Sequence, residues 1–450
     1  MSDGLVRSVA RTHGFEPLRV EGAVPDGLRG TLFRAGPGLM ERFGRPLLHP
    51  FEADGAITGV RFADEVTGAC RIVESPGYLA EEAAGKPLYG SATAWWRRIG
   101  NRFKAKGKAT GNTSTLLWQD RLFALMEGNK PMELAPGDLS TLGKTDLGVI
   151  PASFSAHPHR VPSRETTFNF GLRYDRDMHV DLFALPDRGE ARKIGEFTAP
   201  WSGLLHDFVV TENHMVFVIG PAKMVLWKVL LGFPDFAEFF RWDPSAGTEV
   251  VVLPLDDLES PIRIPADPFW VWHFANGFEL DGQIVLDCCR YPDLDSLIAI
   301  ADDEADIAPS TLWRMTIDPT AKTVHSEERW AHVCEFPSVH PARVGTRHET
   351  VFAYAEDADQ GFQVAAVVPD TGDAAIWAAP EGHLGSEPVF VPRSPEERDG
   401  WLLSLVLDPE PDRSYLAVLD AQRLADGPVC KAWFDHPIPR TFHGTFARTE

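Results

Sequence analysis

The chain has 450 residues, of which 44% are hydrophobic and 24% charged, and its net charge is −22 at neutral pH. That composition supports a large folded core and favours solubility. It excludes a nucleic-acid surface, which needs a basic face.

In chain order, residues 1–7 hold no apolar stretch of the signal-peptide kind, which predicts a cytoplasmic protein. Residues 87–109 place Trp95, Trp96 and Ile99 among a run of Lys and Arg, and residues 224–242 form a strongly apolar excursion with helical character. No apolar run reaches the roughly 18–20 residues that span a bilayer. The nearest, residues 224–240, is broken by Lys228, Gly232, Pro234, Asp235 and Glu238. Both excursions are expected on one rim, either as a packed lid or as a greasy substrate entrance in peripheral contact with a membrane. Cys70, Cys288, Cys289, Cys334 and Cys430 follow no metal-ligand spacing and read as reduced structural thiols.

Beyond about residue 110 the sequence falls into short strand-like runs of β-branched, aromatic and aliphatic residues. Examples are 166–173, 208–219, 283–290, 311–317, 351–355, 364–368, 401–407 and 415–419. Asp281–Gly282, Asp399–Gly400 and residues 371–373 read as hairpin turns. Amphipathic helices between the strands are scarce, which argues against a parallel α/β sheet. Many short antiparallel strands suggest a sandwich, a barrel or a propeller, and the length favours the propeller. No repeat is clean enough to count blades and no linker breaks the chain, so residues 1–450 read as one domain.

Four histidines sit beside strand-like apolar residues: Ala156-His157-Pro158, Leu205-His206-Asp207, Trp272-His273-Phe274 and Phe442-His443-Gly444. They are far apart in sequence and form no local ligand motif, so spacing alone favours satisfied core histidines. A propeller changes that reading, because inner strands of different blades converge on one axis. Neutral imidazole suits iron, zinc or copper, so the residue type leaves the metal open.

These motifs carry a resemblance. From Leu28-Arg29-Gly30-Thr31-Leu32-Phe33-Arg34 to Phe442-His443-Gly444-Thr445-Phe446, nearly the whole chain resembles the carotenoid cleavage oxygenase family. Ala156-His157-Pro158-His159, His206-Asp207-Phe208, His273-Phe274-Ala275-Asn276 and Phe442-His443-Gly444 match, in order, segments beside iron ligands in that family. The resemblance implies an all-β fold, a seven-bladed β-propeller with a helical and loop dome over its top face. It implies Fe(2+) held by His157, His206, His273 and His443. It further implies that Glu127, Glu335 and Glu387 orient three of those rings, because a ligating imidazole donates its second N–H to a carboxylate or carbonyl. His159 is read as a neighbour only, His49 as part of a variant turn, and His332, His340, His348 and His383 as loop or surface residues.

The activity implied is that of a non-haem iron dioxygenase. It cleaves a C=C bond of an apolar conjugated alkene, an apocarotenoid or carotenoid, with dioxygen, and no protein residue serves as catalytic base or nucleophile. Met126 and Trp272 are expected to shape the substrate pocket. Stilbene and phenylpropene cleavers of the same family are the nearer alternative. Stilbene cleavers typically place a lysine where this chain has Met126, which favours the apolar substrate. A propeller binding module or zinc hydrolase is the alternative from another class, although a hydrolase normally adds a carboxylate or cysteine ligand, or a base near the water.

Overall fold

Short turns join most successive strands, so most strands pair antiparallel with a neighbour in sequence. Asp281 and Gly282, at φ +51° and +80°, make the expected two-residue turn between Trp270–Leu280 and Gln283–Tyr291. The structure is a computed structural model and describes residues 5–104, 106–302, 305 and 307–449.

Seven sheets of four to six strands form the blades of a β-propeller. Five blades are continuous in sequence, spanning 114–144, 159–198, 209–266, 270–330 and 333–378. The other two share the chain ends. Gly444–Arg448 is the inner strand of the blade built on Gly30–Leu39, Asp54–Phe62, Val66–Ile72 and His13–Pro17. Arg19–Gly22 is the outer strand of the blade built on residues 384–433. The ring is thus stitched twice.

One apolar cluster fills each of the seven gaps between neighbouring blades. Between the 159–198 and 209–266 blades, Phe208 stacks on Phe217 with ring centroids 5.3 Å apart. Phe170 meets both rings edge-on. Such aromatic packing needs both blades at once, so neither is stable as a lone sheet. All five cysteines are buried free thiols.

Three expectations are corrected. Residues 208–219 are not one strand but a hairpin, Val209–Val210 with His214–Ile219, because the Thr211 hydroxyl accepts the N–H groups of Asn213 and His214 and turns the chain. Asp399–Gly400 is not a two-residue turn. Pro392 pairs with Gly400, and residues 393–399 form the loop. His340 and His348 lie on loops as expected, but both are buried. His348 Nε2 sits 2.8 Å from Asp287, whose carboxylate also takes Arg314, and the buried charge requires these partners.

The α-helices Pro76–Ala84, Trp95–Phe103, Leu226–Leu230 and Ser296–Ala299 all lie in long connections that leave the ring. Residues 224–242 are only partly helical. The strands Ala222–Met224 and Phe240–Trp242 pair, and Leu226–Leu230 caps the excursion. The two apolar excursions meet: Trp95 Nε1 donates to Leu231 O at 2.9 Å and Arg98 Nε to Gly232 O at 2.7 Å. Trp95, Trp96, Phe103, Leu226, Trp227, Leu230 and Leu231 are left exposed on their common rim. No helix among the described residues is long and apolar enough to cross a membrane.

Under this rim the dome packs Leu204, Trp270, Trp272, Leu294 and Leu297 against Phe51, Phe236 and Phe240. His49 anchors it: Nδ1 accepts the Phe51 N–H and Nε2 faces Leu297 O at 3.3 Å. Burial holds the His49 imidazole down to about 4. The unfolded chain takes up that proton near pH 6.5, so the contribution to stability is full above 6.5 and lost as pH falls towards 4. The loss amounts to about 3 kcal/mol. Urea unfolding between pH 7.5 and 4 should therefore show a flatter pH dependence in His49→Gln than in the unaltered chain. Parallel curves would show that His49 stays neutral for no energetic reason.

Candidate metal centre

Three of the four histidines lie one to three residues before an inner strand. His443 precedes Gly444–Arg448, His157 precedes His159–Val161, and His206 precedes Val209–Val210. His273 lies inside Trp270–Leu280, where register shifts on both sides bulge the strand and aim the ring. All four are buried, and one nitrogen from each lies within 4.8 Å of the others. Ring centroids are 4.3 Å apart for His157 and His206, and 4.7 Å apart for His273 and His443.

Carboxylates from the three remaining blades stand behind three of the rings. His273 Nδ1 donates to Glu335 Oε2 at 2.6 Å and His443 Nδ1 to Glu387 Oε1 at 2.9 Å. His206 Nδ1 lies 2.7 Å from Glu127 Oε1, off the line of an ideal hydrogen bond. His157 Nε2 lies 3.7 Å from the same oxygen. Glu335 sits at another bulge, where Phe336 takes φ +50° and stacks on His273. A left-handed conformation at a bulky residue is costly, and such strain collects at functional sites.

Burial opposes the charge on Glu127, but His206 and His157 outweigh it and hold the carboxyl down to about 2. Burial likewise holds His157 down to about 4 and His443 well below the usual imidazole range. His273 is raised instead, because Glu335 outweighs its burial. Burial raises Glu387 against the pull of Arg34.

Two observations fit a cation at the point the rings face. His157 Nε2 is buried without a hydrogen-bond partner. His206 Nε2 faces His273 Nε2 at 3.3 Å, an unfavourable approach for two lone pairs unless a proton or a metal lies between them. Neutral imidazoles with their second nitrogen engaged form a metal-ligating set.

Several residues at this centre escaped the sequence reading. Arg34, almost fully buried, donates to Glu387 Oε2 at 3.1 Å, Glu387 O, Phe442 O and the Thr441 hydroxyl. Its place in the Leu28–Arg34 segment was the available signal. Asp207 takes His159 Nε2 at 2.8 Å, and His159 is not part of the four-nitrogen group. Trp272 meets His206 edge-on at 4.7 Å, and its indole N–H donates to Ser296. Met126 is tied down, its thioether accepting the N–H and hydroxyl of Thr110. A cavity of about 320 Å³ runs along the inner strands to His157, His273 and His443.

Residues 7–448 match the family model described as retinal pigment epithelial membrane protein, RPE65. The chain is 34% identical to the apocarotenoid-15,15'-oxygenase of Synechocystis over 460 positions, covering 96% of this chain and 92% of that one. It is 26% identical to isoeugenol monooxygenase of Pseudomonas nitroreducens, covering 95% and 93% respectively. Among solved structures, cobalt-substituted Synechocystis apocarotenoid oxygenase superposes with a TM-score of 0.90 at 32% identity, covering 99% of this chain and 98% of that one.

The carboxylate contacts generate a direct expectation. Glu335→Gln still offers an oxygen to His273 Nδ1 but no charge, so metal affinity should fall by roughly ten- to a hundredfold with the fold kept. Competition against a chromophoric chelator measures it. Unchanged affinity would remove Glu335 from the support of the centre.

Proposed function

The chain belongs to the RPE65 family of carotenoid oxygenases, and from that membership we propose that it is a non-haem iron dioxygenase. Its reaction is the scission of a carbon–carbon double bond in an apolar conjugated substrate, an apocarotenoid or carotenoid, into two carbonyl products. His157, His206, His273 and His443 hold the iron; Glu127, Glu335 and Glu387 keep three of those rings oriented. The whole chain works as one domain. The observation that carries this reading is the buried meeting of four imidazoles with a carboxylate behind three of them.

Bound there, ferrous iron supplies the binding and activation of dioxygen that the scission needs. The protein's own groups do the rest. Neutral rings leave the metal's charge undiminished, and the carboxylates fix each tautomer so that the second nitrogen faces inward. Trp272, Phe51 and Phe442 set an apolar wall beside His206, suited to a polyene and able to exclude water. The position before Glu127 carries Met126 and no amine that would pair with a phenol.

Alanine in place of any of the four histidines should abolish turnover and remove most of the iron. The reconstituted protein, given apocarotenals, stilbenes and phenylpropenes under labelled dioxygen, should cleave an apocarotenoid with label in both carbonyls. Turnover of a phenolic alkene at least a hundredfold more efficient than every apocarotenoid would move the substrate to the phenylpropanoid side. Zinc in the purified protein, without oxygen-dependent cleavage, would overturn the oxygenase altogether.

We also propose a cytoplasmic protein that rests on a membrane through the Trp95–Trp227 rim, where exposed indole and leucine side chains lie beside Arg97 and Lys104. Cosedimentation with anionic liposomes should drop several-fold in the double variant Trp96→Ser, Trp227→Ser. Equal binding by the variant would take the membrane away from this rim.

A further inference from the structure

Four ligand rings at the inner edges of four blades need those segments held at fixed separations, and ring-to-carboxylate bonds do not do that by themselves. Asp207, buried and directly after His206, makes three contacts with two oxygens. Oδ1 accepts the Phe208 N–H at 2.7 Å and takes His159 Nε2 at 2.8 Å. Oδ2 accepts the Phe274 N–H at 2.9 Å. Phe274 directly follows His273, and His159 lies two residues beyond His157. One carboxylate therefore ties together the three segments that carry His157, His206 and His273. The fourth histidine is secured separately, through Arg34 and Glu387.

Building on the metal reading above, we infer that Asp207 is a positioning residue of the centre, a clasp that sets the spacing of three histidines, with His159 as its outer anchor. This accounts for a second histidine beside His157 that bonds Asp207 and stays outside the four-nitrogen group. It also accounts for the choice of a carboxylate at position 207. A carboxylate accepts on both oxygens, whereas an asparagine in the same place would turn an NH₂ group towards one of the donors.

The metal-free protein and its Asp207→Asn, His159→Phe and His159→Gln variants are titrated with Co(II), whose visible ligand-field bands report ligand geometry. Thermal midpoints are read in parallel. The Asp207→Asn change should weaken Co(II) binding about ten- to a hundredfold, the usual effect of losing an outer-sphere partner, and shift the bands. His159→Phe should do the same to a smaller degree, while His159→Gln, whose amide nitrogen falls near the imidazole Nε2, should restore both. Wild-type protein that binds Co(II), beside Asp207→Asn and His159→Phe variants of equal affinity and superimposable spectra, overturns the clasp alone. Wild-type protein that takes up no Co(II) overturns the metal reading and the clasp with it. Where Asp207→Asn fails to fold, the His159 pair decides: a glutamine no better than phenylalanine counts against the clasp.

Discussion

Seven inner strands converge on one axis, and each blade sends one chemically committed side chain to the same point. Four blades send His157, His206, His273 and His443; the other three send Glu127, Glu335 and Glu387. The order around the ring does not alternate: the blades of His157, His206 and His273 follow one another, as do those of Glu335 and Glu387. Glu335 and Glu387 each support a histidine on an adjacent blade, whereas Glu127 reaches His206 from two blades away. Closure is then part of the chemistry, because His443 reaches the axis only when Gly444–Arg448 pairs with Gly30–Leu39. Arg34, on that partner strand, holds Phe442 O and Glu387 together, so the seam and the fourth histidine are one assembly.

The same convergence sets the electrostatics. Three half-buried carboxylates around neutral rings would be costly in an apolar interior. Arg34 answers one of them, which leaves two negative charges close to the histidines, the complement of a divalent cation. Asp207 has its own answer in two backbone N–H groups and His159. The low proton affinity of His157 and His443 follows from the same burial, and it leaves their lone pairs available at neutral pH. The strained Phe336 and the bulge at His273 belong to this account too, since both turn a side chain towards the axis at the expense of regular pairing.

Above the centre the chemistry changes sign. Aromatic rings rather than charges surround His206 on the dome side, and His49 fixes Phe51 among them. The exposed rim of Trp95, Trp96 and Trp227 is built from the two excursions that interrupt the strand pattern. A polar, carboxylate-rich side and an apolar side thus meet at one point, an arrangement suited to an activated small molecule and a greasy substrate.

Much of this was legible in the sequence alone. Short runs of β-branched, aromatic and aliphatic residues and turn residues such as Asp281–Gly282 point to antiparallel strands, since those signals act over a few residues and need no partner. Four histidine motifs and three glutamate motifs were readable through their likeness to a family, although nothing local to His157 or Glu335 reveals a ligand or its support. Only the tertiary structure decided that Glu127 serves His206, that Asp207 engages His159, that Arg34 lies behind Glu387, and that residues 208–219 fold into a hairpin. All but the last of those facts depend on atoms brought together from different blades, and the hairpin rests on the Thr211 hydroxyl within its own turn. Propensity and periodicity describe a strand's own faces, whereas the ring's closure alone determines which faces share an axis.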